Sequence, residues 1–214
     1  MKRSSKQIKA MLLIGPTGAG KTPLGDHIEK NGFKGQRCFH FDFGDQLRRL
    51  ADSPSLPEGF EEKEHSFIKD VLEKGLLLEN EHFIIAEKII GLFLEQKGFA
   101  ENDILVLNGL PRHIGQAEDM GQRVKVLGLL VLECSAEDVL LRIRQNTGSD
   151  RTGRSDDGIR IVQKKIRIFK DRTSRLIDHY SNTGSTVIRI KVGPSSTAEQ
   201  MYSELLSLSA GLQL

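Results

Sequence analysis

The sequence predicts an α/β fold, a five-stranded parallel sheet with helices on both faces. Short apolar runs alternate with segments of helical periodicity along the whole chain, the pattern of repeated strand–helix units. The runs also lack polar alternation, most clearly in Ile104-Leu105-Val106-Leu107, as strands do when both faces of their sheet are covered. At 214 residues the chain suits one α/β domain with insertions and can bury a proper core.

The elements follow in order. Residues 10–14 read as the first strand and 21–31 as the first helix, with Pro23 in the opening turn where its missing N–H costs little. Residues 38–41 form a second strand and 44–51 a helix, after which Pro54 and Pro57 break the chain. Helices are expected over 62–74 and 80–96; the second carries Phe83, Ala86, Ile90 and Phe93 on one face and stops at Gly98. Strands at 104–107 and 126–133 come next. Ser135-Ala136-Glu137-Asp138 reads as a helix cap ahead of Val139, Leu140 and Ile143. A polar loop covers about 145–157. One long helix after it shows Val162, Ile166, Phe169, Leu176 and Tyr180 at core-facing spacing. A last strand at 186–191 and a helix at 197–208 close the chain.

Composition is that of a globular protein, with 28% charged and 38% hydrophobic residues. The net charge of +2 conceals an asymmetry. Residues 58–103 hold twelve acids against five bases, and residues 142–175 hold eleven bases against four acids. Such a basic stretch suits nucleic acid or a phosphorylated small molecule. No aromatic interleaving of the kind that stacks bases accompanies it, so a nucleic-acid partner is not expected. Cys38 and Cys134 have no partner spacing and read as packing residues, neither disulfide nor zinc site. No stretch approaches transmembrane length and the basic first residues lack a signal-sequence core, so the expected address is the cytoplasm.

Gly15-Pro16-Thr17-Gly18-Ala19-Gly20-Lys21-Thr22 reads G-x-x-x-x-G-K-T between the first strand and the first helix. That setting defines a phosphate-binding loop and predicts a P-loop NTPase fold. The glycines let backbone N–H groups turn inward on a phosphate, and the helix N-terminus adds its own attraction for anions. Gly15, Gly18, Ala19, Gly20, Lys21 and Thr22 are therefore the candidate ATP-binding residues, Lys21 reaching the β- and γ-phosphates and Thr22 ligating Mg²⁺.

Three further segments follow in fixed order. Phe41-Asp42-Phe43-Gly44-Asp45-Gln46-Leu47-Arg48 follows the second strand, Asn108-Gly109-Leu110-Pro111-Arg112-His113-Ile114-Gly115-Gln116-Ala117 the third, and Arg151-Thr152-Gly153-Arg154-Ser155-Asp156-Asp157 lies between the two late helices. Together with the loop, they resemble the short-lid adenylate kinase family of nucleoside monophosphate kinases. The patterns there are G-D-x-x-R, D-G-F-P-R-x-x-x-Q and a lid R-x-D-D. The resemblance runs from about residue 11 to 206. It implies a helical acceptor-binding insert at about 43–78 and a lid at about 145–158.

The resemblance also implies roles. Arg48 and Arg112 would grip the acceptor's monophosphate, for which a guanidinium fork suits better than a point charge. Gly109 would let the backbone approach, and Pro111 would stiffen the turn that aims Arg112. Gln116 would hydrogen-bond the adenine of AMP, its amide donating and accepting at once. Leu76, Leu77 and Leu78 would line the base, or simply pack. Arg144 and Arg154 would neutralise the migrating phosphoryl group as the lid closes and expels water. Asp156 and Asp157 would be hinge and nucleotide contacts, or caps of the following helix.

The sequence departs from that pattern at four points. Thr22-Pro23 replaces Gly-Thr after the loop Lys, shifting the Mg²⁺ ligand by one residue. Asn108 stands where the family has the Asp anchoring the metal's water shell; Asn keeps an oxygen and loses the charge, which predicts weaker metal binding. Lys165 aligns with a late-helix Arg, trading a fork for a point charge. Phe43 replaces a Thr that touches the adenine, and would either stack on a base or narrow the pocket. The expected activity is MgATP plus AMP to two ADP by direct in-line transfer, in a monomer. Lys21, Arg112, Arg144, Arg154 and Lys165 are the catalytic candidates, and Phe43, Arg48, Leu76–Leu78, Gly109, Arg112, Gln116, Arg154 and Lys165 the acceptor-binding ones. The alternatives are a UMP- or CMP-type acceptor, or a nucleotide-binding relative weakened by Asn108 and Lys165.

Overall fold

The computed structural model describes residues 7–76, 78–150 and 158–214. Five parallel strands form one sheet in the order β2-β3-β1-β4-β5: β1 Ile8–Ile14, β2 Cys38–Asp42, β3 Ile104–Asn108, β4 Val124–Glu133 and β5 Thr186–Lys191. The α/β class with a parallel sheet is as the sequence implies. Alternation within β1 and β3 divides the core into two layers. Ala10, Leu12, Ile14, Leu105 and Leu107 face one side, and Met11, Leu13, Ile104 and Val106 face the other. Both sets are buried, which is why these strands carry no polar alternation.

Helices α1 (Lys21–Asn31) and α9 (Ala198–Leu208) cover the second face through Leu24, Ile28, Met201 and Leu205. The first face is covered by α2 (Phe43–Ala51), α3 (Glu62–Lys74), α4 (Phe83–Gln96), α5 (Ile114–Met120) and α8 (Arg175–Asn182), around fully buried Phe41, Ile68, Leu107 and Leu176. Truncating Phe41 to Ala would cost about 3–5 kcal/mol, the usual range for a buried aromatic. Ser135 caps α6 (Ala136–Gln145) through its side chain, as its position implied, and Thr197 with Gln200 forms a capping box on α9.

The long helix after the polar loop is interrupted. It runs as α7 (Ile159–Ile168), then a π-helical turn at Phe169–Thr173, then α8. The Ser174 N–H reaches back five residues to the Phe169 carbonyl at 2.9 Å. Apolar spacing of fours and threes fits a continuous α-helix equally well, so the sequence did not show this turn. Residues 80–82 likewise form a 3₁₀ turn ahead of α4 rather than its first turn. Cys134 sits just beyond β4 and is only half-buried, unlike Cys38 in β2. Burial pushes the Cys38 thiol up to about 12, which leaves it inert. No helix among the described residues is long and apolar enough to cross a membrane.

Candidate nucleotide site

In a parallel sheet, ligands settle outside the carboxyl ends of the strands, and the loops after β1, β2 and β3 meet there. The loop after β1 ends at Gly20, which N-caps α1 with φ 95°, a left-handed conformation that disfavours any side chain. With no side chain capping α1, its opening is left to backbone N–H groups. The Lys21 ammonium folds over its own loop and donates to the carbonyls of Gly15 and Pro16, both at 2.8 Å.

A residue the sequence reading passed over holds this loop in place. Arg142 of α6 is 3% exposed; its Nε donates to the Gly18 carbonyl at 3.0 Å, and its Nη1 to Gly193 and Ser196 carbonyls at 2.8 and 2.9 Å. Burial lowers its pKa. Arg144, the residue singled out from the resemblance, is exposed and does not line the cleft. The two differ by two positions, about 200° around a helix. Val139, fully buried three residues before Arg142, marks the inward face and is the signal that would have chosen between them.

One cleft of about 200 Å³ joins the loop to the acceptor candidates. Lys21 and Thr22 line it at one end, and Arg48, Arg112, Gln116 and Lys165 elsewhere. Phe43, Leu76, Leu78 and Gly109 complete its walls. Phe43 is 5% exposed and lies against the core, its ring 6.1 Å from that of Phe41. Leu78 is buried and Leu76 half exposed. Gly109 has φ 82°, so the turn after β3 needs its residue type for conformation; an added Cβ would meet Phe43 only at ordinary contact distance. Leu77, Arg154, Asp156 and Asp157 lie outside the described residues.

The backbone of Arg112 is held from two sides. Its backbone N–H is accepted by Gln116 Oε1 at 2.8 Å and its carbonyl receives the Thr173 hydroxyl at 2.8 Å. Thr173 belongs to the π-helical turn, so that irregular turn braces the residue, in keeping with the habit of such turns at functional sites. Burial, with Arg172 nearby, pushes the Arg112 guanidinium down to about 10. Arg172 itself is committed to Glu79 through two hydrogen bonds of 2.6 and 2.8 Å. Among the described residues no carboxylate pairs with Arg112, which makes the pocket a place for an anion.

Gln116 does other work than its position suggested. It is 1% exposed, and besides accepting from Arg112 it donates Nε2–H to the Leu78 carbonyl at 2.7 Å. The side chain thus ties two walls of the pocket together, leaving one amide hydrogen and part of its oxygen for a ligand.

At the β2 and β3 ends a chain of polar contacts reaches Thr22. The Thr22 hydroxyl donates to Asp42 Oδ2 at 2.6 Å, and Asn108 Nδ2 lies 2.8 Å from the same oxygen. Asn108 Nδ2 is also 3.3 Å from His40 Nε2, while His40 Nδ1 is 2.8 Å from Asp26. No cluster of three or more His, Cys, Asp or Glu side chains forms among the described residues. A hydroxyl and a carboxylate beside a phosphate loop are hard oxygen donors. They fit Mg²⁺ held largely through water, and would offer a softer metal little.

No family model matches the chain. It is 28% identical to an adenylate kinase of Prochlorococcus marinus over 177 residues, covering 81% of this chain and 85% of that protein. An adenylate kinase of Phocaeicola vulgatus is 29% identical over 183 residues, 81% of this chain and 85% of its own length. One from Thermus thermophilus is 24% identical over 204 residues, 92% and 95% of the two chains. With the parallel sheet, the phosphate loop and the cationic cleft, this likeness along nearly the whole length makes the chain adenylate-kinase-like.

Proposed function

We propose that the protein is a nucleoside monophosphate kinase that passes the γ-phosphoryl group of ATP directly to a monophosphate, with AMP as acceptor. The observation that carries this reading is the half-buried Arg112 guanidinium, with no carboxylate partner among the described residues, in the same cleft as the phosphate loop. Two anions brought end to end there are each met by fixed positive charge, and positioning plus charge neutralisation make up most of phosphoryl-transfer catalysis. Lys21 exchanges the Gly15 and Pro16 carbonyls for the β- and γ-phosphates. Arg48 and Arg112 hold the acceptor's phosphate, with Lys165 beside them. Arg154 approaches the migrating group as residues 145–158 close and the helices of 43–78 swing in. A nucleotide-bound Mg²⁺ would be held at the Thr22 and Asp42 side chains, with Asn108 beside them, and would neutralise charge at the phosphates.

Purified protein with ATP, Mg²⁺ and AMP should form ADP, and no ADP above a Lys21→Ala control would reject the reading. A second acceptor class is favoured by one observation. Gln116 spends most of its amide on backbone partners, so the base has less to bind than a free Gln would offer. Turnover across AMP, UMP, CMP and GMP decides the acceptor.

A further inference from the structure

Asp42 and Asn108 are register partners on neighbouring parallel strands, and both point into the mouth of the phosphate loop. Their chemistry there differs. Asp42 Oδ1 accepts the Asp45 N–H at 3.1 Å and so caps α2, while Oδ2 takes the Thr22 hydroxyl and the Asn108 amide. Three donors fix this carboxylate in one orientation. The Thr22 hydrogen is committed to Asp42, so the hydroxyl oxygen keeps its remaining lone pair for a cation.

Asn108 has a different task. Its Nδ2 carries two hydrogens and faces three acceptors, on Asp42, His40 and Thr22, at 2.8, 3.3 and 3.2 Å. His40 Nδ1 donates to Asp26 at 2.8 Å, which leaves Nε2 as an acceptor for the Asn108 amide. The ring is buried against α1, where Gly25 leaves the room; a Cβ at Gly25 would run into it. An Asp at position 108 could donate to none of these acceptors and would set a second carboxylate against Asp42.

From this geometry we infer that Asp42, on β2, is the carboxylate that holds the nucleotide-bound Mg²⁺ together with Thr22, and that Asn108 is a positioning residue that aims Asp42. The loss of charge at position 108 is therefore no loss to the site; the charge stands one strand over. The inference rests on the cleft's being an ATP site, and deepens that reading.

The test is the gain in nucleotide affinity produced by metal, read without turnover. Binding of a non-hydrolysable ATP analogue is measured by calorimetry in EDTA and in Mn²⁺. The wild type should bind at least tenfold tighter with Mn²⁺. Asp42→Asn retains the α2 cap, since Asn caps as well as Asp; it should lose at least nine-tenths of the metal gain while its affinity in EDTA stays equal or rises. Asn108→Asp should not strengthen the metal gain and should lower the melting temperature in EDTA. An Asp42→Asn protein with an undiminished metal gain would overturn the inference, as would an Asn108→Asp protein with a larger one. Should either variant fail to fold, the wild type decides. Bound Mn²⁺ should broaden the Asn108 side-chain amide NMR signals, and unbroadened signals would overturn the assignment. A metal gain that depends on Asp42 with no ADP formed from AMP would sink the kinase reading and leave this one standing. ADP formation with an Asp42-independent metal gain would do the reverse.

Discussion

The Arg142 guanidinium donates to the carbonyl oxygen of Gly18 at 3.0 Å, across 124 residues of chain, and so ties the phosphate loop to α6. The same side chain holds the segment after β5 through Gly193 and Ser196. Loop shape is therefore set from outside the loop. Arg142→Ala should cost about 3 kcal/mol in urea unfolding, because it leaves several carbonyls without their charged donor. ATP affinity should fall with it, by about tenfold, and Arg144→Ala should change neither quantity. Equal effects of the two substitutions would contradict the placement of Arg142.

Arg112 should matter to one substrate and not to the other. Arg112→Met is expected to lower kcat/KM for the monophosphate by about 10²–10³-fold, the scale seen when a single transition-state hydrogen-bond donor is removed. The KM for ATP should stay within a factor of about three. Without ligand the variant should be at least as stable as the wild type, since burial disfavours the charge it removes. Steady-state kinetics and thermal unfolding of the same preparation read both effects.

The same group gives the alkaline limb. Burial pushes its guanidinium down from the ordinary value to about 10, so the positive charge is largely present below pH 9. It is lost as pH rises through 10. Affinity for a monophosphate should weaken across that window in the wild type, and Arg112→Met should show no such step when binding is followed by calorimetry.

Gln116→Ala separates bracing from base recognition. If the amide joins Arg112 to Leu78 as the hydrogen bonds indicate, the substitution costs about 1–3 kcal/mol of stability before any ligand is added. A residue serving the base alone would leave the melting temperature unmoved.

Acid should loosen the same wall. Hydrogen bonding to Arg172 holds Glu79 below its ordinary pKa, and Arg37 does so for Asp103. Both carboxylates contribute stability that is present above their unfolded values near 4 and lost as pH falls through the lower folded ones. Unfolding measured between pH 5 and 2 should show the loss, and Glu79→Gln should make it shallower.

Much of this molecule was legible from the chain. The spacing of apolar residues placed five strands, and the boundaries of α1, α3 and β5 fell where their caps and breakers stand. Those features are local, governed by neighbours within a turn or a strand. The phosphate loop was legible for the same reason, because its function lies in one continuous run of backbone. The tertiary structure decided which side chains meet. Helix phase gave the loop to Arg142 and turned Arg144 to solvent. A π-helical turn brought Thr173 to the Arg112 carbonyl across 61 residues. Strand register set Asp42 beside Asn108, so the negative charge missing from one strand is found on the next. Each of these depends on a distance through space between segments far apart in sequence, which no periodicity encodes.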